Sequence, residues 1–363
     1  NTKSRLFIKN IDIYHRRNKM FKTFSMKLLA AGAVVGIFIS LLMKMGNPAN
    51  MGVCAVCFLR DSAGALKLHT VANLSYFRPE IIGFILGAFV AAVLFREFQS
   101  KAGSSPILRF FISFFVSVGA LVFLGCPLRM MARIAGGDPT ALYGLAGLIA
   151  GIYTGVVFLK RGFSLGRSYN VNSFNKWIAP LLALTFLILL IVRPAFIPEI
   201  PEKGHAPLYI SLIAGLICGF IGLRTRICTI GGFRDIFIMK DLHLFSGIFG
   251  IIVFTFIMNL ILGQFNPGTN PGAHTDNLWN FLGLYVVGFG SCLTGGCPFR
   301  QMILAGSGNS DSTVSVLGMI TGAGLSHNFM MVNAQAATDS GKFGVITAII
   351  LYFVIAFANM KKN

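Results

Sequence analysis

Long apolar runs recur along this chain, and they restrict it to folds that use lipid as part of their solvent. Three of them, Phe174–Val192, Ser246–Gly263 and Val345–Met360, approach the roughly 20 residues that a helix needs to cross a bilayer. The chain is 55% hydrophobic and 12% charged, whereas soluble domains average about 45–50% and about 25%. Backbone polar groups in lipid must be paired within the protein, so the sequence predicts an all-α, polytopic membrane protein.

Apolar segments with polar or charged flanks predict ten transmembrane helices. They lie near 28–45, 79–95, 107–124, 140–159, 176–193, 208–223, 243–264, 278–291, 312–331 and 343–359. Four further stretches are too short or too glycine-rich to cross a bilayer: 49–66, 125–137, 226–240 and 293–308. Segments of this kind persist at membrane depth only where protein or a cavity satisfies their backbone groups. We therefore expect four short re-entrant half-helices.

The basic residues predict the orientation of the chain. The net charge of +19 would favour nucleic acid as a partner in a soluble protein. In a membrane protein, Lys and Arg gather in cytoplasmic loops, and here they gather in 1–27, 96–109, 160–176 and 224–242. We therefore expect no nucleic-acid partner, a multi-pass protein of the bacterial inner membrane, and both termini in the cytoplasm. Residues 1–27 are interpreted as a cytoplasmic basic tail rather than a cleaved signal.

Two loops that this orientation places outside, 46–78 and 125–139, also carry Arg and Lys. Both contain predicted half-helices. We expect their charges to be buried within the protein, where they do not contribute to the loop-charge rule.

Two motifs occur twice along the chain. The segment Cys54–Asp61 (CAVCFLRD) aligns without gaps with Cys228–Asp235 (CTIGGFRD), at an offset of 174 residues. The segment Gly125–Arg129 (GCPLR) aligns with Gly296–Arg300 (GCPFR), at an offset of 171 residues. Two anchors in the same order and at nearly equal offsets indicate an internal duplication.

Five predicted spans precede the second copy, and an odd number turns the two copies upside down relative to each other. Inverted repeats with interrupted helices are typical of secondary transporters. We divide the chain into a first transmembrane repeat at 28–193, an extracytoplasmic linker at 194–207 and a second, inverted repeat at 208–363. The cysteine motifs of the first repeat then enter the membrane from outside, and those of the second from the cytoplasm.

The Gly-Cys-Pro-x-Arg motif contains Cys126 and Arg129 in its first copy, and Cys297 and Arg300 in its second. Glycine permits close backbone approach, and proline suits the first position of a helix. Each cysteine would then lie at a helix N-terminus, where the dipole favours anions, and the arginine adds positive charge. A single copy would favour a tight turn capped by a small cysteine. Two copies at symmetric places favour a site that contacts a solute.

Cys54 and Cys228 each precede an Arg-Asp pair by six residues. Because an unpaired charge is costly in an apolar environment, we expect Arg60 and Arg234 to be ion-paired. The pairs either hold the half-helices in place or bring an arginine to the solute, and the sequence leaves both roles open for the arginines. For the aspartates the structural role is favoured.

Cys57 forms a Cys-x-x-Cys with Cys54, a spacing that serves redox dithiols and zinc sites. The second copy has Gly231 at the equivalent position, so Cys57 lies outside the symmetric core and is a secondary candidate. Cys218 and Cys292 lie on ordinary spans, where packing roles are favoured for both. Cys292 is five residues from Cys297, so a role at the site stays open for it as the less favoured alternative.

His327 lies within a predicted span, and an ionisable residue there is a functional candidate by default. The sequence contains no His-x-x-x-His, nucleotide-binding loop or nucleophile elbow. We therefore predict no metal, no cofactor and no enzymatic activity.

Four further segments complete the pattern: Arg78–Gly87, Leu124–Met130, Lys160–Arg167 and Asp276–Gly283. With the repeated motifs and the half-helices, they resemble the YeeE/YedE family of membrane proteins, which is associated with transport of sulfur-containing compounds such as thiosulfate. These four segments are most similar to the YedE-type branch, which is associated with selenium.

The resemblance implies nine full spans and four half-length helices around a central pathway, so that the fold is an all-α membrane protein of about nine or ten transmembrane helices. It also implies cysteines that contact the solute sulfur in turn. The matching positions are Cys126, Cys228 and Cys297, with Cys54 as the symmetric fourth. The resemblance also implies a cytosolic small sulfur-carrier protein as a partner. The other expected partners are the solute itself and membrane lipid.

The sequence therefore predicts an inner-membrane transporter that takes up a small selenium- or sulfur-containing compound along buried cysteines. The alternative is a membrane redox or sulfur-transferase module that holds sulfur or selenium covalently on cysteine, as a persulfide or selenosulfide.

Overall fold

The computed structural model describes residues 24–269 and 272–360. Most of the basic tail predicted at 1–27 therefore lies outside the described residues. Within them the regular secondary structure is helical apart from two short strands, β1 (Lys101–Ala102) and β2 (Tyr169–Asn170), which pair antiparallel. The predicted all-α class is confirmed.

Each predicted span coincides with a long helix, and each predicted half-helix with a short one. The long helices are α1 (Met26–Lys44), α3 (Pro79–Leu94), α4 (Pro106–Val122), α6 (Thr140–Lys160), α7 (Ile178–Val192), α8 (Leu208–Thr225), α10 (His243–Ile261), α11 (Asn277–Thr294), α13 (Ser310–Asn328) and α14 (Asp339–Ala358). The short helices are α2 (Ala55–Ala65), α5 (Pro127–Ala135), α9 (Thr229–Met239) and α12 (Pro298–Gly306). Two 3₁₀ turns, Ala72–Leu74 and Ser173–Trp177, precede α3 and α7.

Eight helical stretches of the described chain are long and apolar enough to cross a membrane. Three of the eight are a long helix that continues, after a break, into a short one: α4 into α5, α8 into α9 and α11 into α12. The apolar α3 has 16 residues, about 24 Å of helix, and is too short to be counted among the eight. The helix α13 is long enough but not apolar enough to be counted. The polytopic membrane class is confirmed.

The four most extensive helix contacts join α6 to α11, α3 to α8, α1 to α10 and α4 to α13. Small residues make these contacts close. A Cβ at Gly32, Gly87, Gly151 or Gly322 would collide with a backbone carbonyl of the partner helix. Such close backbone approach replaces the hydrophobic driving force that is absent between helices in lipid. Every one of these pairs joins the first half of the chain to the second.

The arginines of the two loops that disagreed with the loop-charge rule are buried, as predicted. Arg60, Arg78, Arg129 and Arg133 are each at most 6% exposed. Three of them pair with buried aspartates. Lys67, in contrast, lies on the surface.

Candidate functional site

All four half-helices begin directly after a cysteine that acts as the N-cap. Cys54 precedes α2, Cys126 precedes α5, Cys228 precedes α9 and Cys297 precedes α12. A proline occupies the first position of α5 and α12, which confirms the helix start predicted from Gly-Cys-Pro-x-Arg. The N-cap role of Cys54 and Cys228 was not predicted, because cysteine is not among the preferred N-cap residues.

Cys54 and Cys126, the first cysteine pair, bring the N-termini of α2 and α5 together. Their Sγ atoms are 3.5 Å apart. The Ala55 amide donates to Cys126 Sγ over 3.2 Å, and the Cys57 amide donates to Cys54 Sγ over 3.4 Å. Two helix N-termini at one point create a positive potential.

Cys228 and Cys297, the second cysteine pair, do the same for α9 and α12. The Cys297 amide donates to Cys228 Sγ over 3.4 Å, and the Gly231 amide donates to the same sulfur over 3.4 Å. The Arg300 amide donates to Cys297 Sγ over 3.5 Å. In both pairs, therefore, a cysteine sulfur accepts a hydrogen bond from a backbone amide at the start of the other half-helix.

A cavity of about 470 Å³ reaches the second pair through Cys228. Its wall includes Arg226, Arg234 and Arg300, against two aspartates. The Arg300 guanidinium donates to the carbonyl of Gly222 over 3.1 Å. The cavity can therefore admit a small anion from the surface to a cysteine at a helix N-terminus.

Arg129, in the first turn of α5, contacts two further sulfur atoms and a backbone carbonyl. Its Nη1 lies 3.6 Å from Cys57 Sγ and 3.5 Å from Met51 Sδ. Its Nη2 donates to the carbonyl of Gly272 over 3.2 Å, and its Nε is buried without a hydrogen-bond partner in the described structure. Sequence reasoning missed Met51, which belongs to no repeated motif.

The predicted ion pairs are confirmed. Arg60 Nη2 lies 2.6 Å from Asp61 Oδ1, and Arg234 Nη2 lies 2.9 Å from Asp235 Oδ1. Asp61 has a second partner, since Arg78 Nε lies 2.6 Å from its Oδ2. The two copies of the motif therefore differ: the Asp61 carboxylate of the first copy pairs with two guanidinium groups, and the Asp235 carboxylate of the second pairs with Arg234.

His327 lies at the end of α13 beside His69, with ring centroids 4.8 Å apart. Its Nε2 is buried without a hydrogen-bond partner among the described residues. Cys218 is buried within α8, whereas Cys292 lines a second cavity of about 350 Å³ with Arg109. In the described part of the chain, no group of three or more His, Cys, Asp or Glu could hold a metal ion.

A bundle of apolar helices around four cysteine-capped half-helices defines a polytopic membrane protein with buried sulfur-lined sites suited to anions. Residues 224–359, which include the second cysteine pair, match the family described as Sulphur transport. Over these residues, in the second half of the chain, the predicted relationship to the YeeE/YedE family is confirmed.

Two relatives are named thiosulfate transporter TsuA. The chain is 31% identical over 106 residues to that of Escherichia coli (strain K12), a match that covers 29% of this chain and 30% of the relative. It is also 31% identical over 106 residues to that of Spirochaeta thermophila, with 28% and 31% covered. The chain thus matches under a third of the length of these relatives.

Proposed function

We propose that the protein is an inner-membrane transporter that takes up a small sulfur- or selenium-containing anion past its two cysteine pairs. One observation carries the proposal: both pairs lie where two half-helix N-termini meet inside the bundle, and the second opens into a cavity. The proposed pathway residues are Cys54, Cys126, Cys228, Cys297, Arg129 and Arg300.

The chemistry of these sites suits such a solute. Helix N-termini and guanidinium groups attract an anion. Thiols are weak hydrogen-bond partners and soft ligands, so they suit a large polarizable sulfur or selenium atom. Weak successive sites also let a solute leave as readily as it enters, which conduction requires.

The helix pairing supports inverted repeats at 28–193 and 208–363. The contact of α1 with α10 corresponds to that of α8 with α3, and the contact of α6 with α11 corresponds to that of α13 with α4. With both termini in the cytoplasm, the first pair meets the solute from outside and the second releases it inside.

Thiosulfate is the first solute to test, because both relatives are named for it, and selenite and selenide follow from the resemblance to the selenium-associated branch. Cys57, Arg60, Arg234 and His327 remain secondary candidates for solute contact. A cytosolic small sulfur-carrier protein is the proposed receiver.

Uptake of labelled thiosulfate, selenite and selenide into proteoliposomes tests the proposal. We expect uptake of at least one of them by the unmodified protein and loss of that uptake in Cys126→Ser. The matched control is Cys218→Ser, because Cys218 is also buried but lies away from both pairs. Absence of uptake of all three solutes would refute transport of this class.

A sulfur-transferase role is the second candidate, favoured by the 3.5 Å between Cys54 Sγ and Cys126 Sγ. One thiolate would attack the terminal sulfur of thiosulfate, form a persulfide and release sulfite with the bonding pair of the broken S–S bond. The neighbouring thiol could then accept the sulfur. Intact-mass spectrometry after exposure to thiosulfate decides: a gain of one sulfur atom supports this role, and an unchanged mass supports passage without covalent capture.

A further inference from the structure

The first cysteine pair is part of a larger group of sulfur atoms. We call Met51 Sδ and the Sγ atoms of Cys54, Cys57 and Cys126 the first sulfur cluster. All four side chains are at most 2% exposed. Arg129 connects them, since its Nη1 contacts both Met51 and Cys57, and Arg129 itself lies in the first turn of α5, which begins directly after Cys126.

Side-chain hydrogen-bond donors are scarce around this cluster. The donors that reach its sulfur atoms are backbone amides and the Arg129 guanidinium. In the described structure no hydroxyl group donates to any of the four sulfurs. Arg129 is 5% exposed and keeps a buried Nε without a partner, so the site retains one unused donor and one positive charge for a ligand.

The second half of the chain provides an internal comparison. At the offset of 174 residues, Met51 corresponds to Thr225 and Cys57 corresponds to Gly231. Both Thr225 and Gly231 line the cavity that reaches Cys228. The second site therefore has open space at these positions, and a threonine whose hydroxyl donates to the carbonyl of Ile221 over 2.7 Å, where the first has two packed sulfur side chains.

We propose that Met51 and Cys57 are specificity residues, which make the first site accept the sulfur or selenium end of an anion and reject an oxyanion that lacks it. This inference rests on the proposed function and deepens it. It assigns selection to the first site, with the second site being permissive.

Sulfate and thiosulfate show why such a site can discriminate. They carry the same charge and have the same tetrahedral shape, and they differ in one terminal atom, so the charge of Arg129 cannot tell them apart. A sulfate oxygen that enters the cluster exchanges hydrogen bonds from water for weak contacts with sulfur. The terminal sulfur of thiosulfate is a poorer hydrogen-bond acceptor and loses less. Specificity arises because the wrong ligand keeps an unpaired polar atom.

The test gives the first site the residues of the second. We expect sulfate to compete poorly for thiosulfate uptake in the unmodified protein. In the double variant Met51→Thr/Cys57→Gly, the sulfate concentration that halves thiosulfate uptake should be at least tenfold lower than in the unmodified protein, at the same concentration of thiosulfate. The control Met319→Thr/Cys218→Gly removes the same groups from buried positions on α13 and α8, and its competition should equal that of the unmodified protein.

Equal competition in the double variant and the unmodified protein would overturn the inference, as would an equal shift in the control. If the double variant does not fold, Cys57→Ser keeps the volume and adds a hydroxyl, and it should shift competition in the same direction.

Thermal stabilisation of the purified protein by thiosulfate or sulfate tests discrimination without transport, because a ligand stabilises the state that it binds. Selective stabilisation by thiosulfate without uptake would refute transport and keep the specificity site. Uptake with equal stabilisation by both anions, unchanged in an Arg300→Ala variant whose permissive second site is weakened, would refute the site alone.

Discussion

Replacing Asp61 by Asn would leave two buried guanidinium groups facing each other without the carboxylate that joins them. Arg60 and Arg78 each approach Asp61 to 2.6 Å, and the Asp61 side chain is 0% exposed. Arg78 also donates to Asn47 Oδ1 and to the carbonyl of Gly204, each over 3.2 Å. The ion pair therefore fixes α2, the half-helix that starts directly after Cys54, against the segment between α7 and α8.

Removal of one partner from a buried pair costs about 3–5 kcal/mol. Because Asp61 serves two arginines, we expect Asp61→Asn to lie at the upper end of this range. Asp235→Asn is the matched control. Its partner Arg234 lines the open cavity, and the side chains of the two are 29% and 11% exposed, so screening limits the loss to about 1 kcal/mol.

Unfolding in mixed detergent and SDS micelles measures both losses in one protein. The double variant Asp61→Asn/Arg78→Gln removes one charge of each sign and should recover part of the stability, since it leaves a single unpaired guanidinium. Similar losses for Asp61→Asn and Asp235→Asn, or no recovery in the double variant, would show that the cluster is hydrated and that this reasoning is wrong.

Three further predictions concern the proposed pathway. Cys297→Ser should abolish uptake and leave folding intact, whereas Cys218→Ser should leave both uptake and folding intact; equal uptake by the two variants would contradict the role of the second pair. Arg300→Ala should be inactive and Arg300→Lys partly active, because Lys keeps the charge and loses the planar fork; normal uptake by Arg300→Ala would make Arg300 a structural charge. In variants with one cysteine, a membrane-impermeant maleimide applied to inside-out vesicles should label Cys228, which lines the cavity, faster than the enclosed Cys126, and measurement of the two labelling rates checks this. Faster labelling of Cys126 would show that the first cysteine pair, and not the second, is open to the cytoplasm, and would contradict the proposed pathway.

The sequence predicted the helices well because apolar length and Pro or Gly punctuation are local signals. The start of α5 after Cys126 and of α12 after Cys297 follows from the proline that comes next. The pairing of Arg60 and Arg234 with their neighbouring aspartates was equally local, since an unpaired charge is costly in this environment.

Contacts between distant segments were not predictable in this way. Arg78 reaches Asp61 across 17 residues, and nothing in its local sequence indicates that contact. Met51 joins the sulfur cluster through Arg129, 78 residues away. Its own repeat partner is Thr225, so the internal duplication, which identified the cysteines, gave no signal for it.

The exchange of helices between the two halves has a consequence for biogenesis. Because α1, α3, α4 and α6 each find their main partner in the second half, the first half leaves the ribosome with its glycine surfaces uncovered. Those helices can insert into the membrane before the second half is made, but they cannot pack against their partners until it is present. The bundle must therefore close late, after α13 has been synthesised. A premature stop in the second half would leave inserted but unpacked helices, which are substrates for quality-control proteases.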